Sequence, residues 1–351
     1  MQDEMTPRER WLAVLRRESF DRFPLDYRAT PEMTAKLLAY MGAENWAQAR
    51  DQLHIDPVLS VSGRYVGPPI PPDEDVYGVK YQIADYGAGV YREAVKGPLE
   101  EFDSVEQIEA NYTWPSPDWY TYDHIPAQLE GHEEWVIHGG HYEEFATYKN
   151  LRGVAQGYAD HLEHPEIVHY CMGKLADLAY ARSERIFEAA GGRVLWTWVA
   201  DDFGTQEALV MSPAMIREFH FPHIQRLCRL AHDYGVFAFH HSDGAVRDNV
   251  GQMIEAGIDV LDPVQWRCKG MERERLVADF GDQIGFHGGM DNQFTLPFGS
   301  PEDCRQEVRD NFRILGAKGC YILGPCHNIQ PITPPENVVA MYQTAYEEGW
   351  R

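Results

Sequence analysis

Eight short apolar runs, most of them followed by a helical pattern, constrain this chain more than any other feature. They begin near Phe23, Leu53, Trp135, Val194, Val236, Ile258, Gln283 and Cys320. Runs of this length bounded by turn residues read as buried strands. A strand repeatedly followed by a helix demands crossover connections, and so a parallel sheet covered by its own helices. Eight such units predict an α/β fold, a single (β/α)8 TIM barrel. The 351 residues suffice, because such barrels run to about 250 residues before insertions. Neither an internal repeat nor an interdomain linker is visible, so residues 1–351 are expected to form one domain.

Local signals set the ends of several helices. Thr6, Pro7 and Glu9 predict a capping box. Thr30 starts a helix stopped by Gly42, and Gly191-Gly192 stops a long one beginning at Pro165. The segment 67–130 breaks the rhythm, with prolines at 68, 69, 71 and 72. Alternation from Tyr77 to Val95 around Gly87 and Gly89 predicts an antiparallel hairpin, inserted after strand 2 as a lid over a site.

Charge narrows the partners. The balance of 31 basic against 55 acidic residues leaves −24, which disfavours nucleic acid and anionic membrane surfaces. The six cysteines have no framework spacing, which predicts a reducing, cytoplasmic setting. The first ten residues are polar, and no apolar run approaches the ~18 residues of a membrane span.

Barrel chemistry collects at the carboxyl ends of the strands. The polar residues expected there are Arg28, His138, His141, Asp201, Asp202, His241, Asp243, Gln265, His287, Asp291, Cys326, His327 and Asn328. In Val236–Gly244, an apolar strand runs into His-His-Ser-Asp-Gly, and His241 and Asp243, two apart, share a face. With Cys326 from the last strand end they offer imidazole, carboxylate and thiolate, a set suited to zinc. The structural alternative is that Asp243 caps the following helix and Cys326 merely packs.

The stretch Gly324 to Val338 (GPCHNIQPITPPENV) resembles the C-terminal signature of the uroporphyrinogen decarboxylase superfamily. Thr6–Arg10, Asp201–Gln206, His241–Gly244 and Gly288–Asp291 fall in the order that this resemblance implies. It implies a (β/α)8 barrel and either decarboxylation or methyl transfer with a corrinoid protein. The decarboxylase's Arg-x-x-x-Arg clamp is interrupted here, since Glu32 follows Arg28 by four. No acidic residue stands between Asp56 and Asp73, where the decarboxylase's second strand ends in an aspartate. In the methyltransferase branch a His-x-Cys pair and a later Cys carry zinc, and His241-Ser242-Asp243 with Cys326 resembles that set.

The expectation is therefore a methyltransferase moving a methyl group between a small substrate, a methoxy compound or a thiol, and a corrinoid. The corrinoid (methylcobalamin-like) would be carried by a partner protein. Zinc would sit on His241, Asp243 and Cys326. His327, His287 and Asp202 would move protons, and Arg28, His141, Gln265 and Asn328 would contact substrate. A homodimer is the expected assembly. The alternatives are a metal-free decarboxylase and a non-catalytic barrel that binds a tetrapyrrole or corrinoid.

Overall fold

Thr6 opens the first helix, α1 (Pro7–Leu15), through the expected capping box. Its hydroxyl accepts from the Glu9 amide, while the Glu9 carboxylate accepts from the Thr6 amide. The computed structural model describes residues 3–85, 87 and 90–351. Helix α1 carries Trp11 to the amino-terminal end of the sheet. There it stacks on Trp196 at 6.5 Å and packs among Val136, Phe239, Val260 and Ile322, while its indole N–H donates to Asp56. The helix thus plugs the bottom of the barrel with an aromatic side chain whose one polar atom is satisfied.

The chain then builds β1 (Val58–Val61), β2 (Arg64–Tyr65), β3 (Lys80–Asp85), β4 (Val90–Lys96), β5 (Tyr120–Thr121), β6 (Val136–Tyr142) and β7 (Trp196–Val199). These are followed by β8 (Phe237–His241), β9 (Val260–Asp262), β10 (Gly285–Met290) and β11 (Tyr321–Pro325). Seven of them form one curled parallel sheet in the order β1-β6-β7-β8-β9-β10-β11. The eighth position belongs to Phe23–Asp26, which is an isolated bridge rather than a full strand. Its main chain exchanges two hydrogen bonds with Leu323 on one side, and Leu25 accepts one from Asp56 on the other. These bonds complete the ring of the (β/α)8 architecture.

Two boundaries differ from the sequence reading. The expected strand from Leu53 begins only at Val58, because Leu53 ends a helix, Trp46–Gln52, capped by the Asn45 side chain. The helix expected from Ser212 to His232 is two helices, Pro213–Phe219 and Phe221–Asp233, that meet at His220. The long helix Pro165–Ala190 does end at Gly191 in the left-handed conformation, as does Pro31–Met41 at Gly42.

The insertion holds two small antiparallel pairs, β2 with β5 and β3 with β4. The β3–β4 pair confirms the expected hairpin; Gly89 lies outside the described residues. None of the hairpin's described residues lines the cavity at the barrel mouth. Among the described residues no helix is long and apolar enough to cross a membrane.

Candidate active site

Two glycines bring the loops after β7 and β8 into backbone contact. A side chain on Gly204 would strike the Asp243 carbonyl and stand 2.9 Å from the Ala245 nitrogen. Gly244 has φ +89°, and a side chain there would meet the Gly204 carbonyl carbon at 2.6 Å. Only glycine permits this approach. It is fastened by Phe203 N donating to the Ser242 hydroxyl (3.0 Å) and Asp243 N donating to Asp202 Oδ1 (2.9 Å). Asp202, His241 and Asp243 consequently each present one ligand atom within 4.8 Å of the others.

Cys326, expected beside His241 and Asp243, is not part of that group. Its thiol is buried and donates to the Val264 carbonyl at 3.2 Å. Burial, with Glu307 and Asp291 nearby, pushes the thiol well above its ordinary range. The side chain is held as a neutral thiol bonded to a backbone carbonyl, and it is Asp202 that groups with His241 and Asp243.

Asp262, at the end of β9, is the hub of the mouth. Its buried carboxylate accepts from both Arg28 terminal nitrogens (2.5 and 3.1 Å), His287 Nδ1 (2.5 Å), His241 Nδ1 (3.2 Å) and Trp198 Nε1 (3.2 Å). Asp26 closes the circuit, accepting from Arg28 Nε at 3.2 Å and His287 Nε2 at 3.1 Å. Burial alone would raise Asp262, but Arg28, His287 and the hydrogen bonds outweigh it and hold the carboxyl well below its ordinary range. Burial likewise lowers His241, yet Asp262, Asp243 and Asp202 carry it up to about 9. With Nδ1 held by Asp262, His241 turns Nε2 toward Asp243, 4.0 Å away.

A cavity of about 150 Å³ opens beside this network, lined by Arg28, Glu143, Trp198, His241, His327 and Asn328. Arg28, His327 and Asn328 therefore stand where the sequence placed them, at the mouth. Of the residues expected to contact substrate or move protons, Asp202, His287, Gln265 and His141 do not line it. His287 lies buried behind Arg28, bonded to two carboxylates. Gln265 spends its amide oxygen on the Gly244 N–H (2.8 Å), which fixes the β8 loop. His141 is 54% exposed on the rim, 3.5 Å from Glu143. Burial pushes Glu143 up, but the hydrogen bond from His141 outweighs it, so the carboxylate stays ionised.

The sequence reading passed over Asp26, Glu143, Trp198 and Asp262. Asp262 obeyed the same rule as its neighbours, a titratable residue closing an apolar run. Pro263 and Val264 extend the apolar run past it, which gives it the sequence context of a residue inside a strand rather than at its end. Glu143 follows a strand that proved longer than Trp135–His138, with an irregular register between His138 and His141.

The family model described as uroporphyrinogen decarboxylase (URO-D) matches residues 146–348. The uroporphyrinogen decarboxylase of Xanthomonas euvesicatoria is 26% identical over 217 residues, 58% of this chain and 54% of the relative. That of Pseudomonas putida is 24% identical over 282 residues, 74% of each chain. The chain spans about half the length of several such curated relatives. Among solved structures, a methyltransferase from Methanosarcina mazei superposes with a TM-score of 0.70 at 17% identity, covering 98% of this chain and 99% of that one. That likeness is one of fold.

Proposed function

The chain belongs to the uroporphyrinogen decarboxylase family, and from that premise we propose that it moves a methyl group between a small polar substrate and a corrinoid carried by a separate protein. The observation that carries this reading is the mouth cavity. Its volume of about 150 Å³ is near that of a cavity that takes up benzene, and well under the ~300–1,000 Å³ of pockets for larger ligands. An octacarboxylate macrocycle is far larger. The guanidinium lining it is also spent, since all three Arg28 nitrogens already bond Asp26 and Asp262. A decarboxylase of polycarboxylates needs guanidinium forks free for its substrate.

Zinc suits the donor chemistry of Asp202, His241 and Asp243, two carboxylates flanking an imidazole whose second nitrogen is fixed by Asp262. The acidic surroundings that stabilise a proton on His241 would stabilise a divalent ion in its place. When bound, such an ion supplies Lewis acidity toward a substrate oxygen. When the small substrate is the methyl donor, its methyl–oxygen or methyl–sulfur bond breaks, the methyl passes to the reduced cobalt of the corrinoid, and the electron pair stays on the donor atom, which then needs a proton. His327, on the cavity wall, is placed to deliver it. Glu143 accepts a hydrogen bond from a substrate hydroxyl or ammonium, Asn328 orients the opposite end, and Arg28 and Trp198 form a wall locked by Asp262.

The test is metal analysis of the purified chain joined to a corrinoid absorbance assay, with cob(I)alamin offered to methoxy compounds and methylcobalamin offered to thiols. Expected are about one zinc per chain, lost in His241→Ala but kept in Cys326→Ser, and a corrinoid spectral change with one substrate class. Carbon dioxide release from uroporphyrinogen, or full activity in metal-free protein, would overturn the reading.

A further inference from the structure

We propose that the flank of the barrel carries a second binding site, for a small planar monocarboxylate such as an aromatic acid. It lies in the groove between the Phe23–Asp26 segment and β1. Among the described residues a single main-chain hydrogen bond, Asp56 N to Leu25 O at 3.1 Å, ties that seam. Two adjoining cavities of about 260 and 280 Å³ open there and share Arg50, Ile55, Asp56, Pro57 and Trp135. The site neither uses nor extends the methyl-transfer reading.

The inner chamber is walled by rings and aliphatic groups. Trp46 and Tyr27 face it, stacked at 4.3 Å with 29° between their planes, beside Trp135 and Val58. A cavity of about 150 Å³ takes up benzene, so this chamber has room for one ring and a carboxyl group. Flat walls favour flat ligands, because offset stacking of ring on ring adds attraction beyond burial.

The charge on the ligand follows from which ions in the groove are already neutralised. Asp56 is held by Arg10 and Arg22 (2.7 and 3.0 Å), and Asp26 by Arg28 and His287 (3.2 and 3.1 Å). Arg50 is different. Its guanidinium lies over Trp135 at 4.9 Å with its side chain only 14% exposed. Its Nε and Nη2 bond only the neighbouring Asp51, which is 67% exposed, and such a surface pair contributes little. Among the described residues nothing accepts from Nη1. A half-desolvated fork with a free edge beside an aromatic wall recognises a carboxylate. The outer chamber bears Asp3, Asp51 and Glu134, and their field limits the ligand to one negative charge.

The experiment titrates the full chain with benzoate, benzamide and benzylamine, read by calorimetry and tryptophan fluorescence. Benzoate should saturate and quench emission, with the neutral and cationic analogues at least tenfold weaker. Arg50→Gln and Trp46→Leu should each weaken benzoate at least tenfold with unchanged circular dichroism, whereas Asn328→Ala at the mouth should leave it unchanged. Absence of saturation in the unmodified protein overturns the proposal, as does a preference for benzylamine or an affinity that follows Asn328 rather than Arg50. The charge series on the unmodified chain decides the matter even where a variant fails to fold.

Discussion

Asp262 shows how much one carboxylate can organise. It is the common acceptor for two rings, an indole and a guanidinium, all but hidden from solvent. Desolvating so many polar groups is repaid only while every partner remains, since a buried cation left without its counter-charge is costly. Asp262→Asn is therefore expected to lose about 3–5 kcal/mol in denaturant titration. The sign with pH is also set. Because the folded-state pKa lies well below the ordinary value, the stabilisation is present above about pH 4 and is lost as pH falls through the lowered pKa. The Asn variant should show a shallower decline in stability on acidification.

At the scale of elements, the glycine pair between the β7 and β8 loops decides whether the acidic cluster exists. Gly204 has no room for a side chain because backbone stands opposite it. Gly204→Ala should destabilise by about 1–3 kcal/mol, the usual cost of overpacking, and separate Asp202 from Asp243. Zinc affinity in that variant should fall together with its melting temperature. Gly173, inside the helix Pro165–Ala190, meets nothing within 4 Å of an added side chain. Gly173→Ala should accordingly gain roughly 0.5–1 kcal/mol from helix propensity, and the two melting curves should move in opposite directions.

For the whole molecule, the bottom of the barrel is closed by α1, and its keystone is Trp11. The ring belongs to one buried cluster with side chains from five strands, so its removal opens a cavity that no single strand can collapse to fill. Trp11→Ala should cost about 3–5 kcal/mol, measured as a fall in the denaturation midpoint. If the plug holds the ring of strands together, unfolding should remain one transition. A separate early loss of α1 would argue instead that the barrel stands without it.

The architecture was legible because its signals are local. Apolar runs, capping boxes such as Thr6–Glu9, and stop signals such as Gly42 and Gly191 act through neighbours in the chain. They determined the strand–helix alternation, the barrel, the hairpin, and which loops would gather at the mouth. What only the tertiary structure decided is which side chains meet there. His241 and Asp243 do come together, although β8 ends at His241 and Asp243 lies in the loop just beyond it. Their third partner depended on packing between different strands and on a glycine contact between loops. That is why Asp202 reaches the cluster while the Cys326 thiol turns to a backbone carbonyl. Spacing along a strand fixes the face of a side chain, but only the closed barrel sets its distance from residues on other strands.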